Sequence, residues 1–319
     1  MILSASRRTD IPNFYADWFF NRIKEGYVYV RNPLNPHQVS EIRISPETVD
    51  CIVFWTKNPS PMLPRLNELK DYLYYFQFTV TGYEEDIEVN VPRKKEIAIP
   101  AFWRLSEKIG RERVIWRYDP ILFTGKYTPA YHLWAFEQTA AALRGYTRKC
   151  VISFADRYAK NRKAMDALGA YDLEEEQLAG FAGQLCMIAR KNGMETGSCA
   201  EEMNLESSGI SHNCCIDKAL IESLAGCRMD VGKDKNQREA CGCVQSIDIG
   251  VYNTCKNGCV YCYANHSMES VVRNCAKYDP KAPLLCGTVM EGDKITLRQV
   301  RSMKDGQLSL FDRSREKYF

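Results

Sequence analysis

The feature that most constrains this chain is an alternation, repeated about seven times, of short apolar runs with longer segments of helical periodicity. Strand-like runs fall at 2–5, 49–55, 75–81, 113–118, 149–154, 194–199 and 247–252. Helical spacing of apolar residues occupies 14–24, 61–73, 99–109, 128–143 and a segment that stops at Gly193, and a further helix is expected at 217–224. Segments 27–31 and 41–44 alternate and read as a hairpin. Thr128 ahead of Pro129 is a helix start, and Asp172 with Glu175 forms a capping box. Apolar strands alternating with helices build parallel β/α units. The expected fold is therefore α/β, a (β/α) barrel-like body, TIM-like or partial. An open doubly wound sheet is the alternative, but no G-x-G-x-x-G or phosphate-loop motif favours it.

Three regions follow: 1–200 as the barrel-like body, 201–286 as a cysteine-rich region that includes the last strand, and 287–319 as a polar tail. A length of 319 residues allows a large core, and 45% hydrophobic with 26% charged residues excludes a disordered chain. A net charge of +3 is too small to imply nucleic acid. No apolar run approaches the roughly 20 residues of a membrane span. The start, MILSASRRTDIP, lacks the apolar core of a signal peptide, so a cytoplasmic setting is expected. There disulfides are disfavoured, and the fourteen cysteines favour metal where they cluster.

Each strand runs straight into polar residues: Arg7, Arg8 and Asp10; Thr56, Lys57 and Asn58; Thr81; Arg117 and Asp119; Asp156; Cys199 and Glu201. Barrel sites are built at the C-terminal ends of strands. Arg binds carboxylates or phosphates in a fork, and Asp binds hydroxyls or amino groups or takes a proton.

Cys255, Cys259 and Cys262 stand at Cys-x-x-x-Cys-x-x-Cys on a loop leaving the last strand. Three thiolates so placed suit three irons of a 4Fe–4S cluster and leave the fourth iron open. Gly258 permits the tight wrap, and Tyr261 places a ring where it can pack against a ligand. A structural zinc site would ask for two separated ligand pairs.

This spacing, with an aromatic before the third cysteine, resembles the signature of the radical S-adenosylmethionine (radical SAM) enzymes, and its flanks resemble relatives of spore photoproduct lyase. The segments SASRRTDIP, VRNPLNP, FWTKNP, FTVTGY, IWRYDPI, KDKNQR and DIGVYNTCKNGCVYCYAN resemble a prokaryotic family described as a domain of unknown function, noted for a C-terminal cysteine cluster like the radical SAM one. The resemblance implies an enzyme that cleaves S-adenosylmethionine reductively to start radical chemistry on a substrate, with a flavodoxin- or ferredoxin-type electron donor. The cluster strand would then lie at the C-terminal end, a circular permutation of the usual order, and would pair with 2–5. On that implication Ser4, Ser6 and Arg8 contact the cofactor, while Arg7, Arg8, Asp10, Lys57, Arg117 and Asp119 hold cofactor or substrate. The competing reading is an iron–sulfur electron-transfer or redox-sensing protein without S-adenosylmethionine chemistry.

Six more cysteines fall between residues 199 and 243, ahead of the triad. Cys199, Cys215, Cys241 and Cys243 are expected to serve either as ligands of a second iron–sulfur cluster or as ordinary free thiols. Cys51, Cys150 and Cys186 fall inside element patterns and are expected in the core. In the tail, Gln307-Leu308-Ser309-Leu310-Phe311 resembles the peptide by which bacterial DNA repair proteins dock on the sliding clamp; the same residues could instead pack on this protein's own surface. With the lyase-like flanks it leaves nucleic acid open as a partner.

Overall fold

The computed structural model describes residues 1–305, so the clamp-like segment Gln307 to Phe311 lies outside the described residues. The strands are β1 (Ile2–Ala5), β2 (Tyr27–Arg31), β3 (Gln38–Arg43), β4 (Cys51–Thr56), β5 (Tyr74–Thr79), β6 (Val114–Ile121), β7 (Lys149–Phe154), β8 (Glu195–Cys199), β9 (Ser211–Asn213), β10 (Ile247–Asp248) and β11 (Lys294–Arg298). The helices are α1 (Ile11–Phe14), α2 (Ala16–Glu25), α3 (Ile99–Ile109), α4 (Pro129–Ala142), α5 (Arg162–Ala167), α6 (Glu175–Lys191), α7 (Lys218–Ala225) and α8 (Met268–Cys275).

Eight strands form one sheet in the order β10-β1-β4-β5-β6-β7-β8-β9, and every neighbouring pair is parallel. From β1 to β9 the large sheet takes its strands in chain order, without the reversal that defines a doubly wound sheet. The doubly wound alternative is therefore set aside, while β10 and β9 stand at the two edges of the sheet with no pairing between them among the described residues. The expected pairing of the last strand with the first is present: Leu3 lies opposite Ile247 and Ser4 opposite Asp248. The smaller sheet, β11-β3-β2, contains the expected β2–β3 hairpin. Its third strand comes from the polar tail and pairs parallel to β3, and Met303 beyond it donates its amide to Asp50 at 2.8 Å. The segment before residue 306 is thus docked onto the body. Among the described residues no helix is long and apolar enough to cross a membrane.

Strand side chains alternate between faces, and the two faces carry different cores. One set, Leu3, Ile52, Phe54, Phe76, Phe78, Trp116, Tyr118 and Ile152, packs with Trp18, Phe19, Phe102, Phe136 and Leu185 from α2, α3, α4 and α6. The residues between them, Ile2, Cys51, Val53, Tyr75, Ile115 and Val151, meet Cys215, Ile216, Ile221, Cys241, Cys243 and Val244. The cysteine-rich segment therefore covers the face that the helices leave bare. Cys51, Cys150 and Cys186 are buried, as expected.

Thr128 caps α4 through Tyr131 N, and Asp217 caps α7. The capping box of α6 is made by Glu174 and Gln177, not Asp172 and Glu175, because the helix begins two residues further on. Segment 61–73 holds a 3₁₀ helix, Leu63–Leu69. β6 continues through Asp119 and Pro120 to Ile121 rather than ending before them.

The β1–β10 join is tight. A Cβ on Gly250 would stand 2.0 Å from Ser6 Oγ, within the backbone turn that ends β10. Gly250→Ala is expected to cost about 1–3 kcal/mol in urea unfolding by overpacking. Gly125→Ala, where a Cβ would meet nothing within 4 Å, is the control. Equal stabilities would contradict this packing.

Candidate functional site

The site begins at the β1–β10 edge. Asp248 accepts hydrogen bonds from Ser4 Oγ at 2.8 Å, Arg7 N at 2.9 Å, Gly250 N at 2.9 Å and Ser6 Oγ. Ser4 and Ser6 are buried and donate their hydroxyl protons to this carboxylate, so toward a cofactor their oxygens could act only as acceptors. Arg8 lies over the Tyr252 ring, 5.0 Å from its centroid, with Nε 4.0 Å from Asp248. Arg7 faces the Trp55 ring and stands 3.7 Å from Asp234.

A second carboxylate, the buried Asp10, sets the cysteine loop. It caps α1 through Asn13 N, accepts from Thr56 Oγ1 at 2.7 Å and Lys57 N at 2.8 Å, and takes Asn257 Nδ2 at 3.2 Å. With every oxygen engaged, Asp10 is a positioning residue. It joins the ends of β1 and β4 to the middle of the Cys255–Cys262 loop. Asn13 and Asn58 extend the same network.

The loop is fastened on its other sides as well. Asn90 N donates to Asn257 O at 3.0 Å and Val260 N to Ile87 O at 2.9 Å. Tyr15 OH donates to Thr254 O at 2.6 Å, Asn161 Nδ2 to Tyr261 O at 3.1 Å and Asn265 Nδ2 to Cys255 O at 2.8 Å. Gly258 turns at φ +67°, where its missing side chain also leaves room for Val89 and Asn90.

The thiols are near enough to interact: Cys262 adds to the upward push on Cys259, and both add to that on Cys255. All are partly accessible at the surface. Burial, then Asp10 and the other two thiols, push Cys255 up; burial pushes Cys259 to about 12, against the pull of Lys57. Cys262 Sγ accepts from Ala264 N at 3.3 Å.

Under the loop, Glu88 meets Lys57 Nζ at 2.6 Å, Lys94 Nζ at 2.6 Å and the Tyr261 hydroxyl. Lys57 Nζ also donates to Tyr261 OH at 2.9 Å. Burial alone would raise the Glu88 carboxyl; the two ammonium groups overcome it and hold the pKa down at about 2. Tyr261 packs with Tyr83, Ile87, Leu122, Tyr127 and Met165, so its ring supports the loop from beneath.

Further along the sheet, Arg117 grips Asp119 through both carboxylate oxygens and places Nη1 2.8 Å from Cys215 Sγ. Cys215 Sγ is 3.0 Å from Cys199 Sγ. At the end of this row burial raises the Glu201 carboxyl to about 7, while it accepts from Phe154 N at 2.9 Å. A carboxyl near neutrality can take or give a proton.

The expected site residues thus fall into three adjoining groups: Ser4, Ser6, Arg7 and Arg8 around Asp248; Asp10, Lys57 and Tyr261 beneath the triad; and Arg117 and Asp119 beside Cys199 and Cys215. Sequence reasoning missed Asp248, Glu88, Lys94 and Asn257. Asp248 had a signal, being the one charge in the strand-like run 247–252. Glu88 did not, since it shares its loop with Glu84, Glu85 and Asp86.

The donor set of the loop, three thiols without a histidine or a fourth ligand of its own, fits an iron–sulfur cluster with one open iron. Among the described residues no three His, Cys, Asp or Glu side chains surround the position of a single metal ion. A four-iron cluster takes one thiolate per iron and spaces them more widely than one ion does. Buried oxygens without a protein partner include Thr9 Oγ1, Thr81 Oγ1 and Asn265 Oδ1, at or just beyond strand ends or the loop's exit.

The Glu88 network has a pH signature. Its folded pKa lies below the ordinary 4.5, so its contribution to stability is present above that value and is lost as pH falls through about 2. Glu88→Gln leaves the partly buried Lys57 and Lys94 ammonium groups without their carboxylate and is expected to cost about 3 kcal/mol at pH 7. In urea unfolding across pH 2 to 7, the gap between wild type and variant should shrink below about pH 4.5. A gap that stays constant over that range would contradict the assignment.

No curated protein matches the chain. The family model that does match is described as a domain of unknown function, DUF1848, and spans residues 2–264. The chain belongs to that family.

Proposed function

We propose that the protein is a radical SAM-type iron–sulfur enzyme, with Cys255, Cys259 and Cys262 as ligands of a 4Fe–4S cluster and S-adenosylmethionine at the open iron. The observation that carries the reading is the gathering of these three thiols on one loop that is hydrogen-bonded from the ends of β1 and β4 and from the segment after β5. The parallel sheet, wound in chain order with β10 beside β1, supports a partial barrel in which the cluster strand stands at the C-terminal end of the chain. That is the circularly permuted order the resemblance implies.

The bound cluster and S-adenosylmethionine would supply one-electron, radical-initiating chemistry. The chain's own residues orient and shield it. Asp10 and Asn257 hold the loop in register with β1 and β4. The Lys57 ammonium, beside Cys259, offsets the negative charge that three thiolates bring into a partly desolvated site. Thr9, Thr81 and Asn265 offer unpaired oxygens to the amino or hydroxyl groups of the cofactor. Arg117 with Asp119, and Glu201 near neutrality, line the approach for a substrate. A flavodoxin- or ferredoxin-type protein would deliver the electron.

Anaerobic reconstitution with iron and sulfide, followed by dithionite and S-adenosylmethionine, tests this. Wild type should release 5′-deoxyadenosine, and Cys259→Ala should lose it. Reconstituted protein that binds iron but gives no 5′-deoxyadenosine would overturn the radical reading and leave an electron-transfer or redox-sensing protein.

A further inference from the structure

We infer that Cys199 and Cys215 form a redox-active cysteine pair, which closes to a disulfide by thiol–disulfide exchange with a small external disulfide. Cys199 ends β8, and Cys215 lies two residues beyond β9. Both are free thiols, and their Sγ atoms are 3.0 Å apart. A disulfide bond is about 2.0 Å long, so the sulfurs stand about 1 Å from bonding distance. A four-iron cluster takes one thiolate per iron and holds its ligands apart. As placed, Cys199 and Cys215 therefore do not fit the second cluster expected of them with Cys241 and Cys243.

Separate parts of the backbone bring the two sulfurs together. Cys199 is fixed by the β8–β9 ladder, where it lies opposite Asn213. Directly after it, Ala200 takes φ +54°, a left-handed conformation that is costly for a residue with a side chain. That turn falls where Cys199 meets Cys215. Cys215 is tied to the middle of the sheet: its carbonyl accepts from Tyr75 OH at 2.7 Å and from Gln77 Nε2 at 2.9 Å. With both ends held in place, closure of the pair costs little further ordering, which favours one internal bond over two separate adducts.

The two thiols differ in access. Cys199 is partly accessible and Cys215 is buried, so Cys199 is the sulfur that an external disulfide reaches. Its thiolate attacks, one small thiol leaves and a mixed disulfide forms. Cys215 then attacks Cys199 Sγ and expels the second small thiol. In sum the pair gives up two electrons and two protons, and the external disulfide takes them up and leaves as two thiols. Arg117 Nη1 donates to Cys215 Sγ at 2.8 Å, which favours the thiolate that closes the bond. The contact with Cys215 and burial hold the Cys199 thiol well above its ordinary pKa. Cys215 is lowered by that contact but rises to about 11 beside Cys243 and in the interior. At neutral pH the pair therefore rests as a dithiol and exchanges slowly. Closure takes Cys215 Sγ from Arg117, whose guanidinium also grips Asp119, so the state of the pair reaches the polar row beyond the strands.

The test is incubation of the full chain, its thiols first reduced, with oxidised and reduced glutathione in graded ratio, then alkylation and mass spectrometry. No Lys or Arg lies between Asn192 and Asp217, so cleavage after Glu201 or Glu202 is needed to part the two cysteines. Wild type should yield a peptide containing Cys199 linked to one containing Cys215, and dithiothreitol should release the link. Cys214→Ser should form the same bond, and Cys215→Ser should stop at a glutathione adduct on Cys199. Separate alkylation of Cys199 and Cys215 in wild type at every ratio, or loss of the link in a folded Cys214→Ser protein, would overturn the inference. Iron bound by the anaerobically reconstituted protein that shields both thiols from exchange would overturn it too, since the pair would then be metal ligands. The wild-type peptide map decides the matter if a variant does not fold, and its outcome does not depend on what the triad binds.

Discussion

The carboxylate of Asp248 is the interaction on which the site depends. β10 is two residues long, too short to hold the sheet edge by ladder hydrogen bonds alone. Asp248 instead accepts from two hydroxyls and two amides, three of the four on β1 or the turn that follows it. The chain's last large-sheet strand is thereby locked to its first, and everything that leaves β10, including the cysteine loop, starts from a fixed position. Hydrogen bonds to a charged group are worth about 1.5–3 kcal/mol each.

Around that join, buried charge is arranged in closed sets. Glu88 is held between Lys57 and Lys94. Arg117 is paired with Asp119 and turned toward a thiol. Buried pairs are weak sources of net stability, because desolvation offsets most of the attraction. Their value here is position. Each places a cation next to a cysteine, Lys57 beside Cys259 and Arg117 beside Cys215, where thiolates would otherwise be disfavoured by burial.

Much of this was legible in the amino-acid sequence, for identifiable reasons. The β/α alternation is a local pattern, and the structure follows it strand by strand. The polar residues after each strand are local too, and parallel strands necessarily bring their ends together, so Asp10, Lys57, Arg117 and Asp119 had to converge. The triad spacing lies on one loop. What stayed hidden needs contacts across the chain. Glu88 reaches Lys57 across 31 positions and Asn257 reaches Asp10 across 247, and no periodicity encodes either. α8 (Met268–Cys275) was missed because its eight residues bury little more than Val271. The roles of Ser4 and Ser6 were read from a resemblance that placed a cofactor beside them. Their hydroxyls donate to Asp248, a contact across the β1–β10 join that no local pattern encodes.

The central claim is that the triad holds a cluster with an iron open to S-adenosylmethionine. The most direct measurement is the EPR spectrum of the dithionite-reduced protein before and after S-adenosylmethionine is added. The account predicts that the signal abolished by removing Cys255, Cys259 and Cys262 changes on addition, as an open iron gains amino and carboxylate ligands. A triad signal that is present and unaltered by S-adenosylmethionine would contradict it.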